Sequence, residues 1–423
     1  MNRNEMLKKL RVTEPFLSLI RFSDGAFCNY ISPKGCGGFE LMDWSDLDSY
    51  NFDTPDYTWE QLSETKLKEW VDRFETENFC PLSSISTEIL AFEEKLRNAF
   101  HAETLSCEGY RAARAHFTIE EWFDVLLRAI DYNPRGFQNW VEKHTMLTRL
   151  LPFIEPRINL VELGPKGTGK SFLFRKVGKY GCLVSGGTLS RAKMFFDIAK
   201  KQPGLVANND VVALDEIQFI HFPDPGEWQA ALKVYMDTGE ATFGDNRVVG
   251  SAGIILLGNL PQDDMNIERD MFRSLPEIFR ESALLDRFHG FIQGYNIPRM
   301  NVKLKSNGLA LNTKLFSEIM HLMRDQSENV LYRSVAEDLV SYPAEACVRD
   351  SEAILRICTA YLKLLFPHVI KPDMIDIAEF EQYCLRPAVQ MRTIIRKQLQ
   401  FIDPTMYGGN DVAAFTANKK YVK

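Results

Sequence analysis

The sequence predicts an α/β fold: a three-layer core on a parallel sheet, with a mixed α+β region before it and a helical lid after it. Three observations carry this. Ile158–Leu163 is an apolar run of strand length that feeds a glycine-rich turn and then a helix-spaced segment, Phe172–Val177. A second apolar run, Asp210–Gln218, ends in the adjacent acids Asp215 and Glu216, and a third, Ala252–Gly258, closes on Asn259. Strand and helix patterns alternate between them, as they must where helices cover both faces of a sheet.

Composition bounds the possibilities. A chain of 423 residues has room for two or three domains, and 45% hydrophobic with 25% charged residues is ordinary for a soluble globular protein. No apolar run approaches the roughly 18 residues of a membrane span. The N-terminus lacks the apolar core of a signal peptide, so a cytoplasmic protein without membrane contact is expected. A net charge of −7 excludes a surface coated in base but leaves room for a local basic channel. The eight cysteines form no CxxC pair, which favours reduced thiols over disulfides. Cys28, Cys36, Cys80, Cys107 and His101 would ligate zinc only if the fold gathered them, and their spacing resembles no ribbon or finger.

Residues 1–110 form an N-terminal region of unknown role. Phe16–Ile20, Ala26–Ile31 and Phe39–Met42 read as short strands, with a turn at Lys34–Gly38, and Asp43–Asp56 reads as an exposed acidic connection. Trp59–Phe74 and Ser84–Phe100 read as amphipathic helices. Acids outnumber bases between Asp43 and Glu77, which is the wrong charge for phosphate contact. A helical lead-in follows over 111–156. Its capping box, Thr118-Ile-Glu-Glu121, opens a helix with Trp122, Val125, Leu126 and Ile130 on one side, broken at Pro134-Arg-Gly136. A second helix over Asn139–Leu151 is expected to stop at Pro152 and Pro156.

The core, 157–300, carries the chemistry. Gly164-Pro165-Lys166-Gly167-Thr168-Gly169-Lys170-Ser171 fits G-x-x-x-x-G-K-[ST]. Glycines let backbone N–H groups close around phosphates, Lys170 reaches the β- and γ-phosphates, and the Ser171 hydroxyl holds Mg²⁺. Asp215 would complete the metal shell and Glu216 would polarise the attacking water, so ATP and Mg²⁺ are the expected ligands. A chance glycine turn, or two merely solvated carboxylates, would not come with a strand before the loop and a helix after it. The remaining elements are a strand at Gly181–Ser185, a helix at Ser190–Lys200 with Ala192, Phe195, Phe196 and Ala199 inward, and a helix at Trp228–Asp237. Gly239–Val249 reads as a hairpin carrying Arg247. In ring motors a hairpin at this place tracks a nucleic-acid backbone; the alternative is a surface hairpin in which Arg247 pairs with Asp245 or Glu240.

Asn259, at the tip of a buried strand, occupies the place of a γ-phosphate sensor in AAA+ ATPases; the alternative is a turn-forming Asn before Pro261. Ser282-Ala-Leu-Leu-Asp286-Arg287-Phe288 places Arg287 just after a helix, where such ATPases project an arginine finger into the neighbouring subunit; the alternative is an intrachain pair with Asp286. Four helices over 301–403, at Thr313–Gln326, Leu331–Val340, Ser351–Phe366 and Pro387–Phe401, make a lid, and 404–423 a tail. Arg392 and Arg396 share a helix face, so either could touch the γ-phosphate from the lid, with Arg392 preferred; the alternative is a basic face that is only solvated.

The runs FTIEEWFDVLLRAI, LTRLLPFIEPRINLVELGPKGTGKS, LVSGG, VVALDEI, LLGN and LPEIFRESALLDRFHGFIQGYNIPRM together resemble the BrxL family, the Lon-like AAA+ ATPases of BREX phage-exclusion systems. The resemblance is dense over about 115–300 and loose over the lid. It implies a ring homo-oligomer of six or more subunits that hydrolyses ATP and acts in antiviral defence, with DNA and other BREX components as partners. Longer members carry a C-terminal Lon-type domain with a Ser-Lys pair. Here residues 404–423 follow the last lid helix, so protease activity is not expected. An unfoldase working with a separate protease, or a nucleotide-gated scaffold, are the alternatives.

Overall fold

The computed structural model describes residues 106–421 apart from 245, 262–263, 307–308 and 410, the backbone of three strands between 19 and 42, and a few residues between 68 and 100. These fall in two units, Met1–Gly136 with Asn301–Ile319 and Phe137–Met300 with Met320–Lys423.

In the first unit, β1 (Leu19–Arg21), β2 (Phe27–Ile31) and β3 (Gly38–Met42) form an antiparallel sheet in that order, over the three segments expected to be strands. Most of the turn at Lys34–Gly38, of Trp59–Phe74 and of Ser84–Phe100 lies outside the described residues, as does Asp43–Asp56. Helix α1 (Cys107–Arg114) is capped by Ser106, and α2 (Ile119–Ala129) by the Thr118–Glu121 box, with both reciprocal hydrogen bonds formed. Trp122 on α2 is fully buried against Tyr110, Phe117 and Phe100. Residues 301–319 close this unit: Asn133 Nδ2 donates to the Lys303 carbonyl at 3.0 Å and Thr313 Oγ1 to that of Ala129 at 2.7 Å.

The second unit opens with α3 (Trp140–Thr148), whose Asn139 cap accepts from the Glu142 N–H. Pro152 does not stop the chain here. It sits early in a further helical turn, Leu151–Ile154, where a proline costs no hydrogen bond, and all four residues are buried. Five parallel strands follow: β4 (Leu160–Gly164), β5 (Gly181–Thr188), β8 (Val211–His221), β11 (Gly253–Asn259) and β12 (Gly290–Gln293), in spatial order β12-β4-β11-β8-β5. Inserting β11 between β4 and β8 separates the glycine loop from the acidic pair by one strand. Asn259 is in register with Gly164, and Ser185 with Asp215. Helices α4 (Lys170–Lys176) and α5 (Pro225–Thr238) connect strands, and β9 (Glu240–Phe243) pairs with β10 (Asn246–Val249) as the expected hairpin.

One expected element is absent. Ser190–Lys200 is not a helix: Arg191–Met194 makes one turn, and the chain then folds into the small hairpin β6 (Phe196–Asp197) and β7 (Gln202–Pro203). Phe195 is fully buried while Ala199 is exposed, so the helical apolar spacing does not describe one buried face. Gly204 returns so close to Met194 and Phe195 that a Cβ there would lie 2.6 Å from their backbone, and its N–H donates to the Phe195 carbonyl.

Beyond β12, α6 being the short Ser282–Leu285 turn before it, α7 (Thr313–Leu322) belongs mostly to the first unit, while α8 (Gln326–Leu339), α9 (Val348–Leu365) and α10 (Arg386–Ile402) form the lid of the second; all four lie in places predicted for helices. Parallel sheet, flanking helices and C-terminal helical bundle make this an AAA+ P-loop fold with a helical lid.

Candidate nucleotide site

Strand β4 ends where the loop must turn, and two of the loop's glycines are there for conformational reasons. Gly167 and Gly169 have φ of 83° and 75°, the left-handed region that side chains disfavour. The Met300 N–H donates to the Gly167 carbonyl at 2.7 Å and pins the loop's outer edge. Lys166 at the tip is exposed, Pro165 half-buried, and Thr168 fully buried. Lys170 opens α4 and folds back over the loop, its Nζ donating to the Gly164 and Pro165 carbonyls at 3.1 and 2.9 Å. Burial, with a smaller repulsion from Arg149, lowers its pKa, against the attraction of Glu162 and Asp215.

Ser171 Oγ donates to Asp215 Oδ2 at 2.6 Å, joining the loop to the acidic strand. Ser185 Oγ on β5 donates to the same oxygen at 3.2 Å, and the Glu216 N–H to Asp215 Oδ1 at 3.0 Å. Asp215 is buried, while Glu216 is exposed with φ of 47°. A non-glycine residue in that region inside a strand is strained by about 1–2 kcal/mol, and such strain concentrates at functional sites. Half-buried Asn259 ends β11 beside Gly164, whose carbonyl accepts from the Leu260 N–H. Loop, Asp215, Glu216 and Asn259 thus share the C-terminal edge of the sheet, where ligands bind in open α/β folds. Ser171 and Asp215 offer one hydroxyl and one carboxylate. That oxygen set fits Mg²⁺, which keeps most of its waters and takes one or two carboxylates beside phosphate oxygens.

The two arginines predicted for the site are engaged elsewhere. Arg287 lies on Asp237 of α5, with Nε to both carboxylate oxygens at 2.9 and 3.0 Å and Nη2 to Oδ2 at 2.7 Å, and its Nη1 bonds the Ala283 carbonyl. Its pair is therefore with Asp237, not Asp286. Arg392, expected to reach a phosphate, is fully buried instead. It bonds Asp350, the Asp286 carboxylate and the Asp286 and Phe288 carbonyls, because the face it shares with Arg396 is turned into the core against Asp350. On the hairpin, Arg247 pairs with Glu240 across the strands; Arg247 is exposed and Glu240 half-buried.

Sequence reasoning missed Arg149. It is fully buried beneath the loop, with Nε and Nη2 on the equally buried Glu162 carboxylate at 2.9 and 2.6 Å and Nη1 on the Thr168 carbonyl at 2.8 Å. The glutamate inside the apolar run INLVELG was the available signal, since a buried carboxylate needs a cation. Ser185, the second hydroxyl on Asp215, was also missed; its place at the end of a strand before Gly186-Gly187 was the clue.

The family described as Lon-like protease BrxL-like, ATPase domain, matches residues 94–413. Two proteins named Lon-like protease BrxL are similar to the chain. The one from Escherichia coli O9:H4 (strain HS) is 32% identical over 290 residues, 68% of this chain and 40% of that protein. The one from Bacillus cereus (strain H3081.97) is 31% identical over 294 residues, 68% and 42% respectively. The chain spans about two-fifths of the length of these relatives. Among the described residues, no helix is long and apolar enough to cross a membrane.

Proposed function

The chain belongs to the family of BrxL-like ATPase domains, and on that premise we propose that it hydrolyses ATP in a ring assembly that engages DNA in BREX-type defence. The observation that carries the chemistry is the 2.6 Å contact between Ser171 and Asp215, which couples the glycine loop to the acidic strand. In this reading Lys170 exchanges the Gly164 and Pro165 carbonyls for phosphate oxygens, and the amides of Pro165–Ser171 that have an N–H close around them. Ser171 and Asp215 would hold Mg²⁺, which when bound would neutralise charge on the phosphates. Glu216, exposed beside Asp215, takes the proton of the attacking water, and Asn259 orients that water or the γ-phosphate. Arg287 leaves Asp237, whose carboxylate is exposed, and the Ala283 carbonyl, and acts on the neighbouring subunit's nucleotide.

The DNA reading rests on the β9–β10 hairpin. Arg247 is 66% exposed and its partner Glu240 is partly solvated, so the pair is weak and the arginine available. One arginine per subunit is modest, but a ring converges them and focuses the field. ATP turnover measured alone, with DNA and with an unfolded protein tests the assignment. DNA should stimulate it, and Arg247→Ala should weaken DNA binding across sequences and reduce its salt dependence, since phosphate contacts release counterions without reading bases. Stimulation by unfolded protein alone would make the chain an unfoldase, and absent turnover would make it a nucleotide-gated scaffold.

A further inference from the structure

Arg392 makes four contacts, and three of them are with the residues on either side of Arg287. Its Nη1 donates to the Asp286 carbonyl at 3.1 Å and to the Phe288 carbonyl at 2.8 Å, and its Nη2 bonds the Asp286 carboxylate. The fourth, Nε to Asp350 Oδ1 at 2.7 Å, anchors the guanidinium to α9. Arg349, also on α9, holds the second Asp286 oxygen at 3.1 Å. Arg392 is fully buried and Asp350 nearly so, and Phe288 is packed in the core. The peptide before and after Arg287 is thus fixed by the lid, whereas the Arg287 guanidinium, itself 15% exposed, is held by the exposed Asp237 carboxylate and the nearby Ala283 carbonyl. A fixed backbone with a releasable side chain is what a long residue needs in order to reach out to a defined place.

We infer that Arg392 is a positioning residue for Arg287: helix α10 clamps residues 286–288 and so sets where the arginine can reach across a subunit boundary. The inference rests on the proposed trans role of Arg287. It reassigns the lid arginine from touching nucleotide to aiming the residue that does. Burial alone would raise the pKa of Asp286; Arg392 and Arg349 together outweigh it and keep the carboxylate charged and bound.

Complementation in mixed rings separates the roles. Arg392→Lys keeps a cation for Asp350 and Asp286 but cannot span both carbonyls and both acids, since the planar fork is lost. It should retain ATP affinity while kcat falls roughly 10–100-fold, part of the 10³-fold or more that an arginine finger contributes. An intact glycine loop with a misaimed finger predicts rescue when Arg392→Lys subunits are mixed with Lys170→Ala subunits, and none with Arg287→Ala subunits. The reverse pattern would put Arg392 at its own subunit's nucleotide and overturn the inference, as would wild-type turnover or rescue by neither. Mixing Arg287→Ala with Lys170→Ala is the control: failure there overturns the trans reading of Arg287 itself, and the inference with it. If Arg392→Lys is unfolded, Asp350→Asn, which loosens the same anchor, should fall in the same complementation class; any other class overturns the inference.

Discussion

Glu162 sits in the middle of an all-buried strand, and Arg149 pairs with it directly while holding the Thr168 carbonyl of the loop above. Removing one partner of such a pair leaves an uncompensated buried charge. Arg149→Ala should therefore cost about 3–5 kcal/mol in urea denaturation, whereas replacing both residues by apolar ones of similar volume should recover most of it. ATP affinity should fall in both variants, because Thr168 loses its support; a stability loss under about 1 kcal/mol for Arg149→Ala would contradict this role. At this scale the sequence was legible where chemistry is local. Gly164–Ser171, Asp215 and Glu216 are contiguous motifs whose residue types and order announce them. Arg149 was not, because its partner lies thirteen positions downstream (162 − 149), beyond two prolines. Arg392 was misread for a related reason. Spacing put it on one face with Arg396, but only the position of Asp350 and Asp286 says that this face looks inward.

Elements followed the sequence wherever a cap or a strand-length apolar run marked them, as at Thr118, Asn139 and Ile158–Leu163. The exception, Ser190–Lys200, had helical spacing of its apolar residues, yet tertiary packing of Phe195 and the close return of Gly204 overrode it. Helix α3 carries a measurable consequence of its own packing. His144 is buried between Trp140 and Tyr361, with Nε2 bonded to the Tyr383 carbonyl, and burial lowers its pKa to about 4 despite that hydrogen bond. The folded protein binds this proton less readily than the unfolded chain. The contribution is intact above the unfolded value near 6.5 and is lost as pH falls from there towards 4. The loss should be on the order of 1–3 kcal/mol. His144→Gln keeps a neutral donor without the titration, so its melting temperature should fall less than wild type between about pH 7 and about pH 4.5. Equal falls would remove His144 from the acid response.

Across the larger unit, the lid is joined to the core by buried polar contacts that no motif announces. Gln398 of α10 accepts from the Met271 N–H at 2.7 Å and donates to the Ile267 and Arg269 carbonyls. Lys363 of α9 pairs with Glu155 just before the strand that feeds the loop. Lid helices α9 and α10 are therefore tied to the core by buried polar contacts as well as by apolar packing. Everything in that account depends on the sheet's C-terminal edge being a site of ATP hydrolysis. The direct measurement is ATP binding and turnover by Glu216→Gln beside wild type. Lys170 and the loop amides are untouched by the substitution, so binding should persist, while loss of the positioned base should cut turnover by about 10²–10⁴-fold. Near-normal hydrolysis by that variant, with binding intact, would contradict the assignment of the site.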